Sequence, residues 1–141
     1  MRVTLERQND AVHFVATTEA GGVVAIDGSP AVGGLGLGAR PMELLLAGIG
    51  GCSGIDVVSI LQKQRETVTG VTITVDAERE PDKQPALFKT VHVHFSVRGP
   101  HDDSHVARAV ELTMSKYCSV ARILEPTATI TWSHALQWAP A

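Results

Sequence analysis

The chain has 141 residues, 44% of them hydrophobic and 19% charged, which is the balance of a folded domain and not of a disordered chain. Its 15.0 kDa leave room for one domain, taken here as residues 1–141. A formal net charge of -3 offers no basic surplus to neutralise phosphates, which argues against nucleic acid as a partner.

Residues 2–8 and 11–17 both alternate in polarity around Asn9-Asp10 and read as a two-strand hairpin. Met1 to Asp10 contain no apolar signal-peptide core. Gly21-Gly22 turns the chain into a third strand, residues 23–27. A Gly-rich loop follows over residues 29–39. It has no Lys-Ser/Thr ending and no βαβ setting, so a flexible flap is expected there in place of a phosphate loop.

Pro41 suits the first turn of a helix, where a missing N–H costs nothing. From Met42 to Lys63 apolar side chains crowd almost every face, and a helix apolar all round is a buried one. The stretch 42–55 is interrupted by Glu43 and by glycines, so no membrane span is expected and the address is cytoplasmic by default. A chain of this size rarely buries one helix on all sides by itself. A homodimer wrapped around paired central helices is therefore expected.

Residues 71–78 and 88–97 are alternating strands, with a polar link between them. Asp102-Asp103-Ser104 offers helix N-cap chemistry before a helix over residues 106–116, and a second short helix runs from Cys118 to Leu124, before Pro126. Residues 127–136 alternate again and close the order βββ-α-ββ-αα-β, an α+β fold of antiparallel strands around a long buried helix.

Two cysteines carry the chemistry. In a reducing compartment they are core thiols, metal ligands or a redox pair, and not a permanent staple. Cys52 sits in Gly50-Gly51-Cys52-Ser53-Gly54, where small neighbours leave space beside the sulfur, although free cysteine is also a common core filler. Cys118 stands at the start of the short helix beside Lys116, where N–H groups and a cation favour a thiolate. Their separation is too long for a CxxC motif or a zinc knuckle. His92 and His94 share a strand face, and His101 and His105 would lie a turn apart if the helix began early. No third and fourth ligand has metal spacing, so hydrated histidines are expected and neither metal nor cofactor is.

The run from Pro41 to Leu46 and on through Gly50-Gly51-Cys52-Ser53-Gly54-Ile55-Asp56 resembles the central-helix signature of the OsmC/Ohr superfamily, in its YhfA-like branch. Lys116-Tyr117-Cys118-Ser119-Val120-Ala121 resembles that family's second-cysteine motif. The resemblance implies an intertwined α+β homodimer that reduces small organic hydroperoxides and protects against oxidative or osmotic stress. Cys52 would attack as a thiolate, and Cys118 would resolve the sulfenic acid into a disulfide that a lipoyl-type or other dithiol reduces. The family's activating glutamate stands ten residues before the first cysteine, a position held here by Met42. Glu43 is one residue later, about 100° around a helix. Its activating arginine belongs to the N-terminal strands. Arg2 and Arg7 do not match that motif, and Arg40 is the alternative cation. The expected catalytic set is thus Cys52, Cys118, Glu43 and Arg40. The alternative is a thiol redox sensor or small-ligand-binding dimer with little peroxidase activity.

Overall fold

Residues 1–137 are described in a computed structural model, and they form two compact units that divide after Leu45. In the first unit β1 (Val3–Arg7), β2 (Phe14–Thr18) and β3 (Val23–Ile26) form an antiparallel sheet in that order. The hairpin loop is wider than Asn9-Asp10 alone. Asn9 Oδ1 accepts from the N–H groups of Ala11 (3.0 Å) and His13 (3.2 Å). The Arg7 guanidinium donates to the carbonyls of Asp10 (2.6 Å) and Ala11 (2.7 Å), so that arginine serves its own turn.

The loop after β3 is not the free flap its glycines suggested. Asp27 is 2% exposed, and its carboxylate accepts from the N–H groups of Gly28 (2.8 Å), Leu35 (3.1 Å) and Leu37 (3.1 Å). The chain folds so tightly there that a Cβ on Gly34 would lie 1.8 Å from the Gly28 carbonyl oxygen. A glycine-rich segment becomes ordered when one buried acceptor gathers its N–H groups.

Helix α1 (Pro41–Lys63) opens where the proline indicated and begins in the first unit. The rest of the chain, from Leu46, builds the second unit. There β4 (Gly70–Arg79) pairs antiparallel with β5 (Phe88–Arg98), and β6 (Thr129–Gln137) lies on the other side of β5. The wholly antiparallel sheet expected from the sequence is corrected here, because β5 and β6 run parallel, Val93 opposite Trp132 and Phe95 opposite His134. The physical reason lies between them. Helices α2 (Asp103–Leu112) and α3 (Ser119–Leu124) provide the long crossover that a parallel return requires and a hairpin cannot give. Asp102 caps α2 by accepting from the Ser104 N–H at 2.9 Å, as its sequence indicated. The helix then stops at Leu112, and Thr113–Tyr117 form a π turn in place of the continuous helix expected to Lys116.

The core of this unit is mostly aliphatic, with two phenylalanine rings, Phe88 and Phe95. Val91, Val93, Phe95 and Val97 alternate inward from β5 and are fully buried, as are Val106 and Ala109 on α2. Helix α1 lies against β4 through its glycines. A Cβ on Gly50 would stand 3.4 Å from Val75 Cγ2, and one on Gly54 would stand 2.5 Å from Ile73 Cδ1. Replacing Gly54 by Ala would force the Ile73 terminal methyl to shift, so only part of alanine's better helix preference is expected to appear. Removing the obstructing methyl with Ile73→Val should make the same change favourable by about 1 kcal/mol, the size of the Gly-to-Ala helix preference. Urea melts of the four proteins measure this coupling, and additive effects would contradict the close approach.

The central helix is only partly covered within one chain. Within one chain only one side of α1 is covered, by way of Ile49, Gly50, Ser53, Gly54, Val57 and Leu61, and 33% of its most apolar window is buried. Ile55 remains 73% exposed, and a Cβ on Gly51 would meet nothing within 4 Å. By length and composition the 23-residue helix could cross a bilayer, which the shorter stretch read from the sequence did not suggest, but its covered face is seated on β4. A three-stranded sheet and two short helices are too small to surround so long a helix.

Candidate thiol site

Cys52 stands halfway along α1 and is half-buried. One turn earlier Gly48 leaves room for α3, whose Val120 Cγ1 lies 3.8 Å from where a Gly48 Cβ would be. That spacing brings the start of α3 against the helix turn that carries Cys52. Ser53, fully buried beside it, donates to the Ile49 carbonyl at 2.6 Å and so meets its hydrogen-bonding need within its own helix. No role for Ser53 as a nucleophile follows from this geometry.

Cys118 caps α3. Its sulfur accepts from the Ala121 N–H at 3.4 Å, and its own N–H closes the π turn on the Thr113 carbonyl at 2.8 Å. The side chain is 0% exposed, and this burial pushes its thiol up to about 11 from an ordinary 9.0. The Ala121 N–H opposes the rise, while a hydrogen bond with the Cys52 sulfur and the charge that sulfur can carry add to it. The expectation that a helix start and Lys116 would favour a Cys118 thiolate is thus overturned. Burial outweighs the backbone N–H groups of Ala121 and Val120 at the start of a six-residue helix. Lys116 instead places its ammonium over the Tyr117 ring, 5.3 Å from the centroid.

Both cysteines are free thiols, and Cys52 lies near enough to help raise the Cys118 pKa despite the 65 residues between them. The pair can donate one proton internally, share a negative charge and exchange two thiols for a disulfide. Arg40 and Glu43 belong to the first unit and are joined to each other. Glu43 Oε1 accepts from the Arg40 N–H at 2.8 Å, half of a capping box at the start of α1. In the structure this carboxylate thus serves the start of its own helix, and Arg40 is exposed.

The histidines are not simply hydrated. His92 Nδ1 lies 2.7 Å from Thr131 Oγ1, and Ser133 Oγ bridges His92 Nε2 (2.9 Å) and His94 Nδ1 (2.6 Å) across the β5–β6 pair. His105 Nδ1 bonds Glu66 Oε1 at 2.8 Å, while His101 precedes α2 and donates its N–H to Glu66 Oε2 at 2.9 Å. Among the described residues no group of three or more His, Cys, Asp or Glu is placed to hold a metal ion.

Sequence reasoning missed Asp27 and Glu66, two carboxylates that tie distant segments together. Asp27 directly before Gly28-Ser29-Pro30 is a turn-forming arrangement and could have been noticed, whereas nothing near Glu66 announces a partner 35 residues away. Backbone hydrogen bonds, from Leu37 to Asp27 and from His101 to Glu66, are the main reason that both carboxyls titrate below their ordinary 3.8 and 4.5. A carboxyl whose folded pKa lies below its unfolded one stabilises the fold above the unfolded value and loses that contribution as pH falls through the folded value. The melting temperature should therefore hold down to about pH 5 and fall below it. Asp27→Asn should flatten the lower part of that fall and speed amide exchange at Leu35 and Leu37. Unchanged exchange there would contradict the clamp.

The OsmC-like protein family matches residues 34–133 of this chain, which include both cysteines. Protein YhfA from Escherichia coli (strain K12) is 48% identical over 95 residues, 67% of this chain and 70% of that protein. Among solved structures, a hypothetical protein from Aquifex aeolicus VF5 is 31% identical with a TM-score of 0.84, covering 99% of this chain and 97% of that one. An organic hydroperoxide resistance protein OsmC from Legionella pneumophila shares the fold at 15% identity and a TM-score of 0.70, over 96% of this chain and 97% of that one. Family match, relatives and architecture agree, and the chain is a member of the OsmC-like family.

Proposed function

We propose that this protein is a cysteine-based redox enzyme of the cytoplasm that reduces small organic hydroperoxides through Cys52 and Cys118, and that it works as a homodimer over its single domain of 141 residues. The observation that carries this reading is the asymmetry of the thiol pair. Cys118 is wholly buried and held protonated up to about 11, against a half-buried Cys52 close by. Cys52 is thus the member that can meet a substrate, and Cys118 the member that waits as a thiol.

In the first step the Cys52 thiolate attacks the outer peroxide oxygen. The O–O bond breaks, the alkoxide takes a proton and leaves as an alcohol, and Cys52 becomes a sulfenic acid. Cys118 then attacks that sulfur, water leaves, and a disulfide forms. An external dithiol of the lipoyl kind returns both thiols by exchange and is itself oxidised to a cyclic disulfide. Arg40 and Glu43 would contribute by placing a cation and a carboxylate at the start of α1. The exposed apolar residues Leu45 and Ile55 on α1, and Val3, Leu5 and Val23 in the N-terminal sheet, support a second copy as the partner that covers them.

A second reading rests on Glu43, whose carboxylate already caps α1. With that group engaged and Met42 at the position the resemblance gives to a glutamate, the same pair would serve as a redox sensor or a small-ligand site. The two readings separate on rate. An enzyme reduces an organic hydroperoxide over many turnovers with dihydrolipoamide as reductant. A sensor forms its disulfide once, no faster than free cysteine reacts.

A further inference from the structure

We infer that Arg122 is a positioning residue for Cys118, holding the π turn and the start of α3 in the one arrangement that aims the buried sulfur at Cys52. The inference rests on the reading that these two cysteines join in a disulfide.

The last carbonyls of a helix have no N–H partners within it. Here they belong to the π turn that precedes Cys118. Arg122 supplies the missing donors, with Nη2 donating to the Met114 carbonyl at 2.7 Å and Nη1 to that of Ser115. Its own N–H bonds the Cys118 carbonyl at 3.1 Å, so the residue sits one turn along α3 while its guanidinium reaches back across the cysteine. Glu125 Oε2 pairs with the same Nη2 at 3.0 Å. The segment 114–122 is thus closed into a ring by one side chain, with Cys118 within it.

A π turn holds one residue more than the α-helical register and persists where something retains it. Reverting to α register would rotate the following residue by about 100° and swing the sulfur away from Cys52. A planar guanidinium can hold two carbonyls at once, and a lysine ammonium is a single point that cannot keep both in one geometry. Arg122 reaches the sulfur only through the backbone, which makes it a positioning residue and not a catalytic one.

The test is the closure of the disulfide against glutathione, in which oxidised glutathione accepts two electrons as the protein dithiol becomes a disulfide. Wild type, Arg122→Gln, Arg122→Lys and the control Glu125→Gln are compared. Arg122→Gln should lower the equilibrium constant for closure by about tenfold, since preorganisation sets the effective concentration of the second thiol. Arg122→Lys should recover part of that loss, and Glu125→Gln little of it should show. The rate of Cys52 alkylation by iodoacetamide should stay within about twofold of wild type throughout. A merely structural role would lower the melting temperature of the reduced and oxidised forms alike and leave closure unchanged. Closure equal to wild type in both Arg122 variants overturns the inference, and Arg122→Lys keeps the test open if Arg122→Gln does not fold. A wild type that closes with glutathione but ignores cumene hydroperoxide sinks the peroxidase reading and leaves Arg122 standing. A wild type that never closes removes both.

Discussion

Cumene hydroperoxide added to the fully reduced protein will remove both thiols within seconds, with a loss of two hydrogens in intact mass, and Cys52→Ser will abolish the reaction. The expectation follows from where the two sulfurs lie. Cys118 has no exposed surface and keeps its proton up to about 11, so it cannot begin the reaction near neutral pH. Cys52 is half-buried and lies near the thiol that would trap its oxidised form. In Cys118→Ser the first oxidation should proceed at nearly the wild-type rate and then stall. A sulfenic acid would accumulate and pass on to sulfinic acid, because no thiol remains to condense with it. With dihydrolipoamide present, wild type should turn over many times and Cys118→Ser about once. If both thiols of the wild type react no faster than free cysteine, the enzyme reading fails and the sensing or binding role takes its place.

Ile55→Glu will convert the protein from a dimer to a monomer at micromolar concentration, weakening association at least 100-fold, or by about 3 kcal/mol. Ile55 is 73% exposed in one chain, on the face of α1 that also presents Ala47 and Gly51. A carboxylate there is harmless if water covers the face and costly if another apolar surface does. Gly51 makes the comparison sharper, because a Cβ there meets nothing within 4 Å of the same chain. On an open helix face, Gly51→Ala should stabilise by about 1 kcal/mol through helix preference alone. Under a closely packed second copy it should instead destabilise. Light scattering and melting curves of Ile55→Glu and Gly51→Ala together decide the matter. A monomeric wild type, with Gly51→Ala stabilising, would sink the dimer.

Much of the fold could be read in the sequence because its signals are local. Alternating polarity located five of the six strands, and the Gly21-Gly22 turn located the third. Pro41 and Asp102 marked the starts of α1 and α2, and Pro126 followed the end of α3 closely. Turn geometry was harder. The β1–β2 loop is bridged by two side chains, Arg7 and Asn9, that reach over several residues, and carbonyls of the π turn before Cys118 are bound by an arginine that follows it. Periodicity does not encode such bonds. The direction of β6 was also out of reach, since alternation tells which residues face inward and not which way a strand runs.

The candidate site shows the same division. The sequence by itself determined that two cysteines stand in unusual settings, one among small residues in an apolar helix and the other at the start of a short helix. It also determined the family, through motifs of contiguous residues. Only the tertiary structure decided that the two sulfurs are neighbours and that Cys118 is the buried one held as a thiol. It likewise decided that Glu43 caps its own helix and that Asp27 orders the glycine loop. The physical reason is one of range. Helix starts, turns and polarity patterns act over a few residues and leave their mark in the order of side chains. Burial, and the pairing of groups with 65 residues between them, exist only once the chain has closed on itself.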